Sequence, residues 1–192
     1  MLHGIISNAQ HPEYGVATIP FPIPDEEYDY VMELLDALEI GDAVRRVCHV
    51  EEITGTYPVL KCLEGTEINI DEMDFLAKRL DSFADSEKAQ FQGMAAVRNI
   101  TELKDLIDLT FCCQRATVIT DFSDLEAVGR AHFMNLYGSY ADPDEIENLD
   151  GYETALLLIE SGSGKVTPYG LVFENGMELK ETYQSFQMGG MA

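Results

Sequence analysis

Four cysteines and four histidines are the side chains here best suited to nucleophilic or metal chemistry, and their spacing supports neither. Cys48, Cys62, Cys112 and Cys113 form no Cys-x-x-Cys pair of the zinc-binding kind, and the adjacent Cys112 and Cys113 are poor disulfide partners for each other. Reduced, structural thiols in a cytoplasmic protein are expected. His3, His11, His49 and His132 are isolated, with no His-x-x-x-His pair. Cys48 and His49 fall in an expected strand, where neighbours point to opposite faces, which disfavours a Cys/His dyad. Gly162-Ser163-Gly164-Lys165 invites comparison with a phosphate loop. That loop needs Gly where Ile159 stands and Ser or Thr where Val166 stands, so a plain turn is expected. Asp121, Asp124 and Glu126 could face a hard cation, but no EF-hand loop surrounds them and helix capping is the expected role. No catalytic residue, metal site or cofactor site is assigned, and the chain does not read as an enzyme.

The remaining candidates are carboxylates. Asp and Glu number 35 against 12 Lys and Arg, for a formal net charge of −23. Residues 1–44 hold nine carboxylates and no Lys or Arg, and residues 121–160 hold ten against Arg130 alone. Such self-repulsion works against compactness, and a chain that is 46% hydrophobic does not need it for solubility. The charge therefore points to a cationic partner surface. Direct nucleic-acid binding is disfavoured, because the basic pairs Arg45-Arg46 and Lys78-Arg79 are flanked by acids and are expected to form ion pairs. Anionic lipid would repel the chain, and no apolar run approaches a membrane span. Met1–Gln10 has neither the basic start nor the long apolar run of a signal peptide.

The elements that must position these acids read as α+β. Strands are expected over Leu2–Asn8 and Val16–Ile23, across a turn at His11–Gly15. A helix from Asp25 to Glu39, closing at Gly41, puts Tyr28, Val31, Leu34, Leu35 and Leu38 on one face. Its other face carries Asp25, Asp29, Glu33, Asp36 and Glu39, five acids along roughly 20 Å. Ala43–Ile53 and Tyr57–Leu63 read as strands. Asn69 with Glu72 caps a helix to about Phe83 whose core is Met73, Leu76, Ala77 and Leu80. Its acids Asp71, Glu72 and Asp74, with Asp81, form a second row. A helix over Ser86–Val97 should bury Ala89, Met94 and Val97, and Asn99 with Glu102 should cap another through Leu103, Leu106 and Ile107. Ala116–Thr120 reads as a strand, and Ser123 with Glu126 caps a helix to Tyr137. Asp142-Pro143 starts a short acidic helix, a further helix covers Tyr152–Leu157, and 171–174 with 179–183 form a hairpin turning at Asn175-Gly176. Asp142, Asp144, Glu145, Glu147, Asp150 and Glu153 make a third acid row. The expected organisation is an elongated chain of about three small, highly acidic lobes: 1–65 (α/β), 66–114 (helical) and 115–192 (α/β, with a frayed tail from Gln187). On charge alone a DNA mimic, an acidic adaptor, and an ordinary acidic domain or enzyme using paired carboxylates all stay open.

The order of segments adds a resemblance. Thr18-Ile19-Pro20-Phe21-Pro22-Ile23 before an acidic amphipathic helix resembles the opening of ArdA-type antirestriction proteins. Ile70 to Leu80 is similar to that family's middle helix, and Leu106 to Thr110 before Cys112-Cys113 resembles versions carried by conjugative elements of Gram-positive bacteria. Asp124-Leu125, Val128-Gly129-Arg130 and His132-Phe133 are similar to a later helix, and Tyr152-Glu153 and Tyr169 to Glu174 to the closing helix and strand. The likeness covers most of residues 16–176; the family's opening Trp is missing and residues 177–192 are an addition. The resemblance implies a curved, elongated, commonly dimeric protein of three small domains that mimics bent duplex DNA. It would occupy the DNA site of type I restriction-modification enzymes and bind no nucleic acid, membrane or cofactor itself. The apolar run Ala155–Ile159 is the candidate dimer contact. The alternative is an acidic adaptor for a basic protein of a mobile element's transfer or replication machinery.

Overall fold

Alternation of apolar and polar residues makes the first strand, and its partners follow from the same pattern. In the computed structural model, which describes residues 2–41, 46–180 and 182–183, the chain is mixed α+β with two small antiparallel sheets. Its contacts group into two compact units, the first comprising Met1–Phe83, Ile100–Thr110 and Glu181–Ala192, the second Ala84–Asn99 and Phe111–Lys180. The segment 66–114, expected as a central lobe, is thus shared between them.

In the first unit, β1 (Leu2–Ser7), β2 (Val16–Phe21), β3 (Val47–Gly55) and β4 (Glu67–Asn69) lie in the order β2-β1-β3-β4. Leu2 pairs with Phe21 and Ser7 with Val16, and a bulge between Ile5 and Ile6 shifts the register against β3. Ile6, Ile19, Phe21, Cys48 and Val50 form the buried face. α1 (Tyr28–Ala37) covers it with Val31 and Leu35, and α2 (Ile70–Asp81) with Met73, Leu76 and Leu80. α4 (Leu103–Leu109) packs on α2. Asn69 Oδ1 accepts from Glu72 N at 3.1 Å, the expected cap.

Three expectations fail in this unit. Tyr57–Leu63 is not a strand: Pro58 lacks the N–H a ladder needs and opens a tight helical turn, Pro58–Leu63, while β4 takes the edge of β3. Asn99 does not cap α4; it closes the preceding helix in the left-handed region, φ +51°, and Glu102 precedes α4 without a side-chain bond. The helix stop expected at Gly41 comes earlier, at Glu39, also left-handed with φ +51°. Residues 43–45 lie outside the described residues.

In the second unit, β5 (Thr117–Ile119), β6 (Lys165–Thr167) and β7 (Gly170–Phe173) lie in the order β5-β7-β6. The hairpin is therefore β6–β7 and not 171–174 with 179–183. Asn175 and Gly176 do turn, but Arg98 takes the Met177 carbonyl, and the described residues after Lys180 are not strand. α3 (Asp85–Arg98) lies on this sheet and buries Gln90, Phe91, Gly93, Met94 and Ala95, leaving Ala89 and Val97 half-buried. The face is rotated because Gly93 permits close approach: a Cβ there would sit 2.8 Å from Val172 Cγ2. α5 (Leu125–Tyr137) and α7 (Gly151–Glu160) pack on each other, with α6 (Pro143–Glu147) between them in sequence. Among the described residues no helix is long and apolar enough to cross a membrane.

Candidate functional site

The first acid row is positioned by the way α1 ends. Leu38 closes the helix, Ile40 N–H reaches back to the Leu35 carbonyl at 2.9 Å, and Glu39 N–H to Asp36 at 3.0 Å. Asn8, at the end of β1, donates through Nδ2 to the carbonyls of Leu38 (3.0 Å) and Glu39 (2.9 Å). One buried amide thus satisfies orphan carbonyls and ties the helix to the sheet. Asp25, Asp29, Glu33, Asp36 and Glu39 are all exposed, and among the described residues none forms an ion pair. Asp25 precedes the helix N-terminus, where negative charge is favourable, but Asp36 and Glu39 lie at its negative end. No basic residue stands in the last turn to compensate. Glu39 also pushes up the ionisation of the nearby Tyr14 phenol.

The second row is different in kind. Asp71 and Asp81 are exposed, but Asp74 accepts from Ile23 N at 2.7 Å and pairs with Lys78 at 2.7 Å. Glu72 is half-buried, and burial pushes its carboxyl up. Arg46 lies 3.5 Å from Asp71, and Lys78 and Arg79 occupy the last turn of α2. Arg79 donates to the Thr110 carbonyl at 3.1 Å, and Arg45 lies outside the described residues. This row holds the first unit together more than it offers charge outward.

The third row, in the second unit, is exposed throughout. Asp142 caps α6 (Asp144 N to Oδ1, 3.0 Å), Glu145 returns the contact to Asp142 N at 3.2 Å, and Asp150 caps α7 through Glu153 N at 2.9 Å. The carboxylates of Asp144, Glu147 and Glu153 make no hydrogen bond or ion pair among the described residues. No basic residue stands in the last turn of α6 or α7.

What sets the place of α7 is a backbone contact. A Cβ on Gly129 would lie 1.8 Å from the Gly151 carbonyl oxygen, and one on Gly151 2.3 Å from that of Glu126. Ala155 is fully buried beside them, so of the expected dimer run Leu157 is the member left well exposed. Arg130, the lone cation of 121–160, bonds Glu126 at 2.7 Å and the Leu149 carbonyl at 2.7 Å. Past this contact a groove of about 700 Å³ opens between α5, α6 and α7. Its lining holds Phe133, Tyr137 and Leu157 together with the acids Glu145, Asp150 and Glu153. Sequence periodicity missed this feature, because α5 carries an interrupted apolar pattern with exposed aromatics at its end.

The side chains weighed for chemistry fall into structural roles. Cys48 is fully buried and burial pushes its thiol up to about 12, while His49 lies half-buried on the other face. His132 is held by Thr117 (Nδ1 to Oγ1, 2.8 Å), and burial pushes its ionisation down. Asp121 bonds Ser123, Asp124 rather than Ser123 caps α5 through Ala127 N at 3.0 Å, and Glu126 pairs with Arg130. Gly162 to Lys165 leads from α7 into β6, and Lys165 pairs with Glu174 at 2.6 Å. Among the described residues no group of three His, Cys, Asp or Glu is arranged to hold a metal ion. Comparison with protein-family models, curated proteins and solved structures finds no match.

Proposed function

We propose that this protein is an antirestriction protein that acts as a DNA mimic, filling the DNA-binding site of a type I restriction-modification enzyme. The observation that carries the reading is the contrast between acid rows. In the second row Glu72 and Asp74 are half-buried and Asp74 and Asp71 face Lys78 and Arg46, whereas the first and third rows are exposed throughout and, among the described residues, form no ion pair on helices whose last turns hold no cation. Charge at the helix C-termini, on Asp36, Glu39 and Glu147, costs stability and is explained by a cationic partner. Duplex DNA presents one phosphate per roughly 1.7 Å of axis and gains affinity by releasing counterions. Carboxylate rows facing the same cleft would release the enzyme's counterions in the same way, and long-range attraction would speed encounter. The mechanism is occupation, with no bond made or broken. The elongated lobed shape, the homodimer and the cytoplasmic site of action belong to this same proposal.

A second reading, an acidic adaptor for a basic protein of a mobile element, draws on the groove: a pure phosphate mimic has no use for Tyr137 and Leu157 among its acids. Both readings predict binding that weakens with salt. Only the mimic is displaced by duplex DNA. The deciding experiment is plasmid transfer into restricting and non-restricting hosts, with and without this protein. Transfer should rise in the restricting host alone, and changing the third row to Asn and Gln together should abolish the gain. Equal transfer in both hosts would remove the proposal.

A further inference from the structure

The groove on the second unit has a composition that restricts what can fill it. Phe133 and Tyr137 sit one turn apart on α5, ring centroids 5.3 Å apart and tilted by 50°. Tyr140 follows at 91% exposure, and Leu157 on α7 stands at 62%. Apolar side chains clustered in this way, within a concave rim of polar groups, mark interaction sites. Yet three carboxylates, Glu145, Asp150 and Glu153, line the same cleft, and among the described residues no Lys or Arg lines it. The nearby Arg130 is already bound to Glu126 and the Leu149 carbonyl.

The occupant must therefore bring apolar groups and positive charge together. Nucleic acid and anionic lipid bring the wrong sign. A second copy docking by two-fold symmetry would bring Glu145, Asp150 and Glu153 against themselves, between chains of net charge −23. A helix with Leu or Phe at i, i+3/i+4 and i+7 and Lys or Arg alongside meets both demands. Its cations would also find the faces of Tyr137 and Tyr140.

We propose that this groove docks a basic amphipathic helix of a partner protein, its apolar side chains inserted among Phe133, Tyr137, Tyr140 and Leu157 and its cations on Glu145, Asp150 and Glu153. The site stands whichever partner class is right, since it adds an apolar anchor to an attraction that charge alone would leave weak and salt-sensitive.

The test uses the full chain and synthetic fluorescent peptides: a Leu/Phe/Lys amphipathic helix, a Lys/Ala helix of equal charge and a Leu/Phe/Glu helix. Fluorescence anisotropy should show the first binding at least about tenfold tighter than the second, and the third not at all. Tyr140→Ala and Leu157→Ser, at exposed positions and with melting curves measured alongside as the folding control, should each cost the first peptide about tenfold without altering the second. Glu145→Gln with Glu153→Gln should weaken both and flatten their salt dependence. Equal affinity of the Leu/Phe/Lys and Lys/Ala helices, or no loss on Leu157→Ser, would overturn the proposal. So would a dimer in sedimentation that Leu157→Ser dissolves, because the occupant would then be a second copy. No restriction enzyme enters this assay, so its failure is distinct from failure of the mimic.

Discussion

Gly129→Ala is the substitution with the most to say about how the third acid row is held. In an isolated helix the change would gain about 1 kcal/mol from propensity. In this protein the new methyl carbon would start 1.8 Å from the Gly151 carbonyl oxygen and 2.9 Å from Ala155 N, where ordinary contact begins near 3.4 Å. Those neighbours are backbone and cannot rotate aside. α7 must retreat by more than an ångström, which also opens the packing around the buried Ala155. Overpacking of this kind costs roughly 1–3 kcal/mol, and a rigid obstacle places it at the top of that range. A net loss of about 2 kcal/mol is expected after the propensity gain. In urea it should lower the unfolding midpoint by about 1 M, given a slope of about 1–3 kcal/mol per M. Gly151→Ala, which meets the Glu126 carbonyl at 2.3 Å, should behave alike. Binding of the Leu/Phe/Lys helix should fall with it, since α7 carries Glu153 and Leu157. A variant as stable as the parent would refute the backbone-to-backbone packing from which this is argued.

Glu39→Gly should raise the melting temperature: it relieves a left-handed non-glycine residue and removes a negative charge from a helix C-terminus, together about 1 kcal/mol or some 2–4 °C. A lower melting point would show that the Glu39 carboxylate is structural. Asp36→Asn with Glu147→Gln, both in helix last turns without a basic residue, should stabilise the fold at low salt by a few tenths of a kcal/mol each and do nothing at 1 M salt. A destabilisation that persists at high salt would mean that these acids serve the fold. His132 has its ionisation pushed below 6.5 by burial, so the unfolded chain binds its proton more readily. Its contribution is present above about pH 6.5 and lost as pH falls through the depressed value. Between pH 7 and 5 the parent should lose more stability than His132→Gln, and parallel pH profiles would show the side chain to be uncoupled.

Most elements were legible because local chemistry and tertiary context agreed. Asn69 three residues before Glu72, Pro143 after Asp142 and the apolar stripe of α2 each announce a helix that forms. The failures share a cause, which is competition between two local signals settled by distant residues. Val59 to Leu63 has strand composition, but Pro58 and the edge already taken by β4 make it a helical turn. Asn175-Gly176 turns as expected, yet the strand beside β7 is β6, and Arg98 claims the chain that follows. α3 hides its packing face because Gly93 and Gln90 do not register as hydrophobic, although Gln90 bonds the Gln114 and Ala116 carbonyls. The acid rows were visible as composition. Their inequality was not, since only the fold reveals that Asp74 is engaged by Ile23 and Lys78 while the carboxylates of Asp144, Glu147 and Glu153 meet no partner among the described residues.

The chain enters each compact unit more than once, and this has a consequence during synthesis. α4 belongs with the sheet of residues 2–69, so that unit has its full set of helices only after Thr110 leaves the ribosome. α3 has emerged by then, but β5, β6 and β7, on which it packs, are still to be made. At ordinary translation speeds that helix waits about 4–15 s with its apolar side uncovered. A nascent chain stalled shortly after Thr110 should recruit a holdase that releases it once β7 is out.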